Sequence, residues 1–309
     1  MLNTALNNVH KLNNIVLIGT GLIGASITLA LKKTHPALTV VGIDRDEAAL
    51  SGAIARGAIT DAGSIADIAN SDMVIIAIPV RQIPQILADI APYLAAHTIV
   101  IDVGSTKADV IVAARVALGK RLGQFIPCHP ISGREHHGPL AAEASLFQGK
   151  KVVITPLVEN SDANLQVVRA LWRLTGANVV EMTASTHDAV FAAVSHLPHM
   201  LAFALVDEFA SRSNAKTLFE HAASGFRDFT RIASSSPEMW RDVALNNRAA
   251  LLAELDAFLV KTAALRQAVA ESDDTALLAL MQRAQTARGQ WLSGQLDQFN
   301  DVPLNEEAR

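Results

Sequence analysis

Three glycines and one carboxylate carry the first recognisable chemistry in this 309-residue chain. Gly19, Gly21 and Gly24 stand in Gly19-Thr20-Gly21-Leu22-Ile23-Gly24, after the apolar run Ile15–Ile18 and at the start of a helical pattern. In that context the first glycine permits a tight turn. The second lets a pyrophosphate reach the backbone, and the third lets helix and strand pack closely. The N–H groups of the helix start, which have no partner within the helix, then point at phosphate. Leu22 and Ile23 belong to the same candidate dinucleotide loop. Asp44 closes Val40-Val41-Gly42-Ile43-Asp44, twenty positions after Gly24. A carboxylate there accepts bonds from ribose hydroxyls and repels a 2′-phosphate, so NAD is favoured over NADP, with Arg45 beside it weakening the preference.

Further along, imidazole and guanidinium groups offer acid–base and anion chemistry. A neutral His129 is suited to take a proton near neutral pH, although a histidine after a strand can equally bond backbone. Ser105, in a Gly-Ser-Thr turn, has a hydroxyl for a ligand or for local backbone bonds. Arg231 can grip a carboxylate bidentately; Arg227 lies four residues earlier on the same helical face, and Asp228 competes as a structural partner. His196 and His199 form a His-x-x-His pair with no third metal ligand placed, so a buried structural imidazole is the better reading of His196 and no metal is assigned. Trp240, in a capped helix, reads as core or as pocket wall. Cys128 reads as a small buried residue.

Longer motifs are more specific. Ile101-Asp102-Val103-Gly104-Ser105-Thr106-Lys107, His129-Pro130-Ile131-Ser132-Gly133-Arg134-Glu135 and Ser195-His196-Leu197-Pro198-His199 occur in that order. Gly225-Phe226-Arg227-Asp228-Phe229-Thr230-Arg231 and Met239-Trp240-Arg241-Asp242 follow. With these the chain, from about Asn14 to Arg248, closely resembles the prephenate and arogenate dehydrogenases of tyrosine biosynthesis. The resemblance implies a homodimer built through a helical domain. It also implies oxidative decarboxylation of prephenate to 4-hydroxyphenylpyruvate, or of arogenate to tyrosine, with reduction of NAD or NADP. In that reaction hydride leaves ring C4, the C4 hydroxyl loses its proton, and the C1 carboxylate departs as CO2 while the ring becomes aromatic.

The same resemblance implies individual roles. His129 would hydrogen-bond the C4 hydroxyl, and Ser105 would orient that histidine and approach the ring oxygen beside the cofactor. Arg231 and His199 would bind substrate, with Trp240 close to the pocket. Ile78 and Pro79, in Ala77-Ile78-Pro79-Val80, would border the nicotinamide ribose. Arg134 stands where many relatives carry a small residue, and would pair with the substrate side-chain carboxylate or cover the pocket. Arogenate's ammonium would want an acid, and the His129–His137 loop offers only Glu135, so prephenate is favoured. Neither a fused chorismate mutase nor a C-terminal regulatory domain has room beyond about Phe299. A β-hydroxyacid dehydrogenase would need a catalytic lysine, but Lys216 and Lys261 have no supporting motif. A non-catalytic nucleotide-binding regulator is opposed by His129, Ser105 and Arg231 occurring together.

These residues need a scaffold, and the hydrophobic pattern supplies one. Apolar runs at Ile15–Ile18, Val40–Ile43, Met73–Ile78, Ile99–Val103, Phe125–Ile126 and Val152–Ile154 alternate with helical segments such as Leu22–Lys33 and Asp46–Arg56. Runs of this kind read as buried parallel strands in a Rossmann-type, doubly wound, mainly parallel α/β sheet. A further helix over Ala163–Leu174, closed by Gly176, precedes a strand at Asn178–Met182. From about Thr183 only helical patterns remain. The expected organisation is an N-terminal arm (1–13), a dinucleotide-binding domain (14–182) and an all-helical substrate and dimerisation domain (183–309).

Pro198 is expected to kink or break the first helix of that last part. Ser235-Ser236-Pro237-Glu238 marks another helix start. A net charge of −4 gives no reason to expect nucleic acid, and one cysteine excludes an intrachain disulfide, pointing to the cytoplasm. Met1–Asn13 lacks a signal-peptide core, and no stretch reads as long and apolar enough to span a bilayer.

Overall fold

The computed structural model describes residues 12–133 and 137–299. Arg134, and with it Glu135, lies outside the described residues, as does most of the expected N-terminal arm. Eight strands form one sheet in the order β3-β2-β1-β4-β5-β6-β7-β8. They are β1 (Asn14–Ile18), β2 (Thr39–Ile43), β3 (Asp61–Ala62), β4 (Met73–Ile76), β5 (Ile99–Asp102), β6 (Phe125–Pro130), β7 (Lys151–Ile154) and β8 (Asn178–Glu181). Pairing is parallel except between β6 and β7.

The strands are apolar on successive residues because both sheet faces are covered. Ile15 and Leu17 join one core cluster, with Ile27 and Leu31 of helix α1 (Leu22–Thr34). Val16 and Ile18 join the opposite cluster. That second cluster also takes Ile83 and Leu87 of α3 (Ile83–Ile90) and Val110 and Ala114 of α4 (Ala108–Leu118). Between them in sequence, α2 (Glu47–Ala55) follows β2 and starts at Asp46, whose side chain accepts from Ala48 N. α5 (Asp162–Leu174) precedes β8, and Gly176 at φ +83° ends that turn as expected.

Beyond β8 the described residues form helices and turns. α6 (Ala184–Phe191), one π turn (Ala192–His196) and α7 (Leu197–Ala210) run on as one stretch. α8 (Ala215–Glu220), α9 (Ser224–Thr230) and α10 (Pro237–Asn246) follow. Residues 1–248 make one compact unit and 249–309 a second. The second unit holds most of α11 (Arg248–Ala270) and all of α12 (Asp274–Leu292).

Several expectations shift. β6 extends past Ile126 to Pro130, so His129 lies within a strand, opposite Val153 of β7, rather than after it. Two prolines in β6 conceal the strand in the pattern, but β7 supplies an antiparallel partner. β4 ends at Ile76 and β5 at Asp102, leaving Ile78 and Val103 in the connections. Pro198 neither breaks nor ends the helix. The preceding π turn takes up the mismatch that its missing N–H creates. The helix-start cap is Ser236 rather than Ser235, its hydroxyl accepting from Met239 N at 3.2 Å.

Contrary to the sequence reading, Ala184–Ala210 is long and apolar enough to cross a membrane by length and composition. It carries Asp188, His187 and His196, all buried and hydrogen-bonded to protein. A carboxylate and two imidazoles held by partners are what a helix lining a polar site requires, and are costly in hydrocarbon.

Candidate functional site

The glycine loop has the geometry its spacing predicts. Gly19 sits at φ +91°, and a Cβ there would lie 2.3 Å from the Ala77 carbonyl oxygen. At Gly24 a Cβ would come within 2.8 Å of Leu17, which is the close helix–strand contact. A Cβ on Gly21 would meet nothing within 4 Å, because Gly21 borders open space on a cavity of about 560 Å³. The first bond of α1 runs from Ala25 N to Gly21 O at 3.0 Å, so the N–H groups of Leu22, Ile23 and Gly24 precede it. The first turn has neither a side-chain cap nor an acidic residue. An unblocked helix N-terminus beside a glycine that leaves room for a close approach fits a dinucleotide pyrophosphate.

Asp44 follows β2, where its carboxylate accepts from Thr20 N at 2.7 Å and Thr20 Oγ1 at 3.0 Å. It also accepts from Asp46 N at 3.1 Å. Asp44 is thereby tied to the glycine loop, while Arg45 is exposed. Ile78 packs against Gly19, and Pro79 is exposed beside it.

The cavity collects most of the predicted site residues. Gly21, Leu22 and Ile23 line one part of it, and Ser105, His129, His199, Arg231 and Trp240 line the rest. Its size lies within the usual range for small-molecule sites. The carboxyl ends of β5 and β6 bring Ser105 and His129. The π turn and α7 bring His199, the turn after α9 brings Arg231, and α10 brings Trp240.

His129 is half-buried, and its ring sits edge-on to Phe191 at 5.0 Å. Its Nδ1 lies 2.8 Å from His187 Nε2, and His187 Nδ1 lies 2.7 Å from Asp188 Oδ1. Asp188 also accepts from Lys107 N at 2.9 Å and Ala108 N at 2.8 Å, capping the start of α4. Burial pushes the Asp188 carboxyl up, but the His187 and backbone donors outweigh it and hold the group below the usual carboxylate range.

An ionised Asp188 fixes the protons along this chain. It requires a donor at His187 Nδ1, so neutral His187 accepts at Nε2, and His129 must donate from Nδ1. His129 Nε2 is left as the ring's acceptor. Burial, reinforced by His187, Lys107 and His196, holds His129 well below the usual imidazole range. Burial also lowers His187, against the opposing pull of Asp188.

Around this core the other side chains are held. His199 stacks on Trp240 with ring centroids 3.6 Å apart, and its Nδ1 donates to the Ser195 carbonyl at 2.8 Å. Burial and the Arg231 charge lower its pKa, against the Ser195 bond. His196 is buried and driven by burial to about 4. Its Nδ1 receives the Asn247 amide at 3.1 Å, and the same amide donates to Asp188 O at 2.7 Å. Burial pushes the Cys128 thiol up to about 12.

Ser105 stands on the cavity wall, but the nitrogen partner that orients His129 in the described structure is His187. His187, Asp188 and Asn247 were not singled out from sequence. The available signal was the polar His187-Asp188 pair inside an otherwise apolar helix, where an acid without a partner would be costly.

Comparison with known proteins decides the family. The family profile "Prephenate dehydrogenase, nucleotide-binding domain" matches residues 27–181, and "Prephenate dehydrogenase, dimerization domain" matches residues 183–283. The chain belongs to the prephenate dehydrogenase family. Within it, the chain is 37% identical over 265 residues to a prephenate dehydrogenase of Bacillus subtilis, spanning 84% of this chain and 71% of that one. It is 34% identical to a cyclohexadienyl dehydrogenase of Zymomonas mobilis, spanning 89% and 94%. A crystal structure of prephenate dehydrogenase from A. aeolicus, in complex with hydroxyphenyl propionate and NAD+, superposes with a TM-score of 0.85 at 32% identity, covering 91% of this chain and 98% of that one. Prephenate dehydrogenases are oxidoreductases, and the glycine loop that begins this domain lies just before the matched stretch.

Proposed function

We propose that this enzyme oxidatively decarboxylates prephenate to 4-hydroxyphenylpyruvate with NAD, in tyrosine biosynthesis. The observation that carries the reading is the Asp188–His187–His129 chain, which leaves an unprotonated acceptor nitrogen on the wall of the cavity that the glycine loop borders. When bound, the nicotinamide accepts hydride from ring C4. His129 Nε2 takes the proton of the C4 hydroxyl as that carbon becomes a carbonyl; the bond from C1 to the carboxylate then breaks to release CO2, its electron pair makes the ring aromatic with the charge on the C4 oxygen, and the proton held by His129 returns to that oxygen to give the phenol. Ser105 supports the same oxygen. Arg231 holds carboxylate, and His199, its ring kept flat against the pocket wall by Trp240, contacts the substrate beside it. Leu22, Ile23 and Gly24 offer amides to pyrophosphate, and Ile78 and Pro79 border the nicotinamide ribose.

Two finer choices follow from charge. Asp44 has oxygens for ribose hydroxyls and repels a 2′-phosphate, which supports NAD over NADP. Arg231 lines the cavity as a cation that attracts a substrate carboxylate and repels the ammonium of arogenate, which favours the keto substrate. Arg134, which in sequence falls between the cavity residues Gly133 and His137, is proposed to meet the substrate side-chain carboxylate. Dual use of both cyclohexadienyl substrates is the second reading, supported by the name of the Zymomonas mobilis relative. The enzyme is proposed to act in the cytoplasm as a homodimer through residues 183–309, which contain the match to the family's dimerization domain.

One assay matrix, prephenate and arogenate each against NAD and NADP, tests these assignments. Prephenate with NAD should give the highest kcat/KM. No NADH from either substrate would overturn the reaction, and faster turnover of arogenate would overturn the substrate choice.

A further inference from the structure

Lys107 belongs to the Gly104-Ser105-Thr106-Lys107 turn, yet nothing in the reaction above uses it. Its side chain is wholly buried. A buried ammonium is costly unless it is paired and hydrogen-bonded, so its partners reveal what it is retained for. Its Nζ pairs with Asp102 and donates to the Cys128 carbonyl at 2.8 Å. Asp102 in turn accepts from Gly104 N at 2.8 Å and from Cys128 N at 3.2 Å.

The Asp102–Lys107 pair therefore grips both the N–H and the C=O of the residue before His129. The place is telling. Parallel pairing between β5 and β6 stops at Asp102 opposite Pro127, one residue short of Cys128. Where β5 no longer offers backbone to that side of β6, the two side chains substitute for it.

Lys107 has a second hold. Its own amide donates to Asp188 Oδ1, the same oxygen that His187 Nδ1 contacts. One residue thus grips the strand end that carries His129 and the acid that orients His187. The 2.8 Å contact between the two imidazoles joins these two held elements.

We infer that Lys107 is a positioning residue for the proton acceptor, its buried side chain fixing the strand end at His129 while its amide fixes the His187–Asp188 pair. The ammonium also opposes any further positive charge nearby. It acts on His129 together with His187 and His196. Asp188 lies behind His187, Asp102 lies against Lys107 itself, and His137, His199 and Arg231 line the same cavity.

This inference rests on His129 as the proton acceptor. The test is Lys107→Met, assayed for kcat, KM for prephenate, NAD affinity by fluorescence titration, and kcat against pH. We expect kcat to fall at least tenfold, with KM and NAD affinity within about threefold of the parent. The acid limb of kcat should move to higher pH, because a positive charge that opposed protonation is gone. If Lys107→Met does not fold, the double variant Asp102→Asn/Lys107→Met removes both charges and leaves neither unpaired; because the two field changes at His129 then oppose each other, it is read by kcat against KM and NAD affinity, and a folded double variant with parental kcat overturns the positioning role. A folded variant with parental kcat and an unmoved acid limb overturns the positioning role. An equal loss in kcat and NAD affinity, with an unmoved limb, also overturns it, in favour of a merely structural lysine. If the parent enzyme itself has no acid limb, the reading of His129 fails first, and independently of Lys107.

Discussion

Replacing His187 by phenylalanine removes both of its nitrogen contacts, to His129 and to Asp188, while keeping a ring of similar shape between His129 and Phe191. The wild-type ring centroids lie 5.0 Å from His129 and 4.6 Å from Phe191, so an aromatic ring of this size already packs there. Asp188 keeps its two backbone donors from the start of α4. What changes is the partner of His129 Nδ1. With His187 present, a proton on Nδ1 is hydrogen-bonded and Nε2 is free to accept. In His187→Phe that proton would be a buried unsatisfied donor, and the His129 ring would favour the tautomer protonated on Nε2, which cannot take a proton from substrate.

Leaving such a donor unpaired costs about 1–3 kcal/mol, and at about 1.4 kcal/mol per decade kcat should fall roughly 5- to 150-fold. The assay is NADH formation by absorbance with saturating prephenate and NAD, followed across pH. The two tautomers carry the same charge, so the loss should persist on the alkaline plateau. A loss caused by an altered pKa would vanish there. A folded His187→Phe enzyme with kcat within twofold of the parent at that plateau would refute the hydrogen-bond chain as the source of the acceptor.

Gly21→Ala should weaken NAD binding by fluorescence titration while leaving Tm nearly unchanged, because the added Cβ meets open space rather than protein. Arg231→Ala should raise KM for prephenate by roughly 10- to 150-fold, from about 1.5–3 kcal/mol for a charge-assisted hydrogen bond. Its kcat should stay within a few-fold, and an unchanged KM would place the carboxylate elsewhere. Acid should also destabilise the fold. His129, His187, His196 and His199 all have folded-state pKa values below the ordinary 6.5. Below pH 6.5 the unfolded chain therefore binds more protons, and stability is lost as pH falls from that point. His196, at about 4, alone accounts for about 3 kcal/mol by pH 4. The urea midpoint should accordingly be level above pH 7 and drop between pH 6.5 and 4.5; a flat profile would contradict neutral buried imidazoles.

The sheet was legible because its code is local and redundant. Ile15–Ile18 and Met73–Ile76 are short apolar runs bounded by turn residues, and both faces of the sheet need them. β6 was read short because Pro127 and Pro130 mask it; its last residues are strand only through pairing with β7, a contact absent from local sequence. The glycine loop was legible because each glycine answers to a separate steric demand. His129, His199 and Arg231 were reached through motif resemblance and do line one cavity.

His187, Asp188, Asn247 and Lys107 were not legible, because each acts through partners distant in sequence. Asp188 caps a helix that begins some eighty residues earlier. Asn247, from the end of α10, reaches His196 and the Asp188 carbonyl. Lys107 was in plain view within the Ser105 motif, but its burial could not be read from composition, since lysine is ordinarily exposed.

In the proposed reaction His129 takes the hydroxyl proton while hydride transfer is coupled to loss of CO2. The direct measurement is the stoichiometry of NADH and CO2 formed from prephenate and NAD by the parent enzyme and by His129→Asn. The parent should release one CO2 per NADH. Turnover should be at least a hundredfold lower in the variant, in line with the contribution of a positioned general base, with NAD affinity unchanged. NADH without CO2, or a folded variant that turns over at the parental rate, would contradict the proposed reaction.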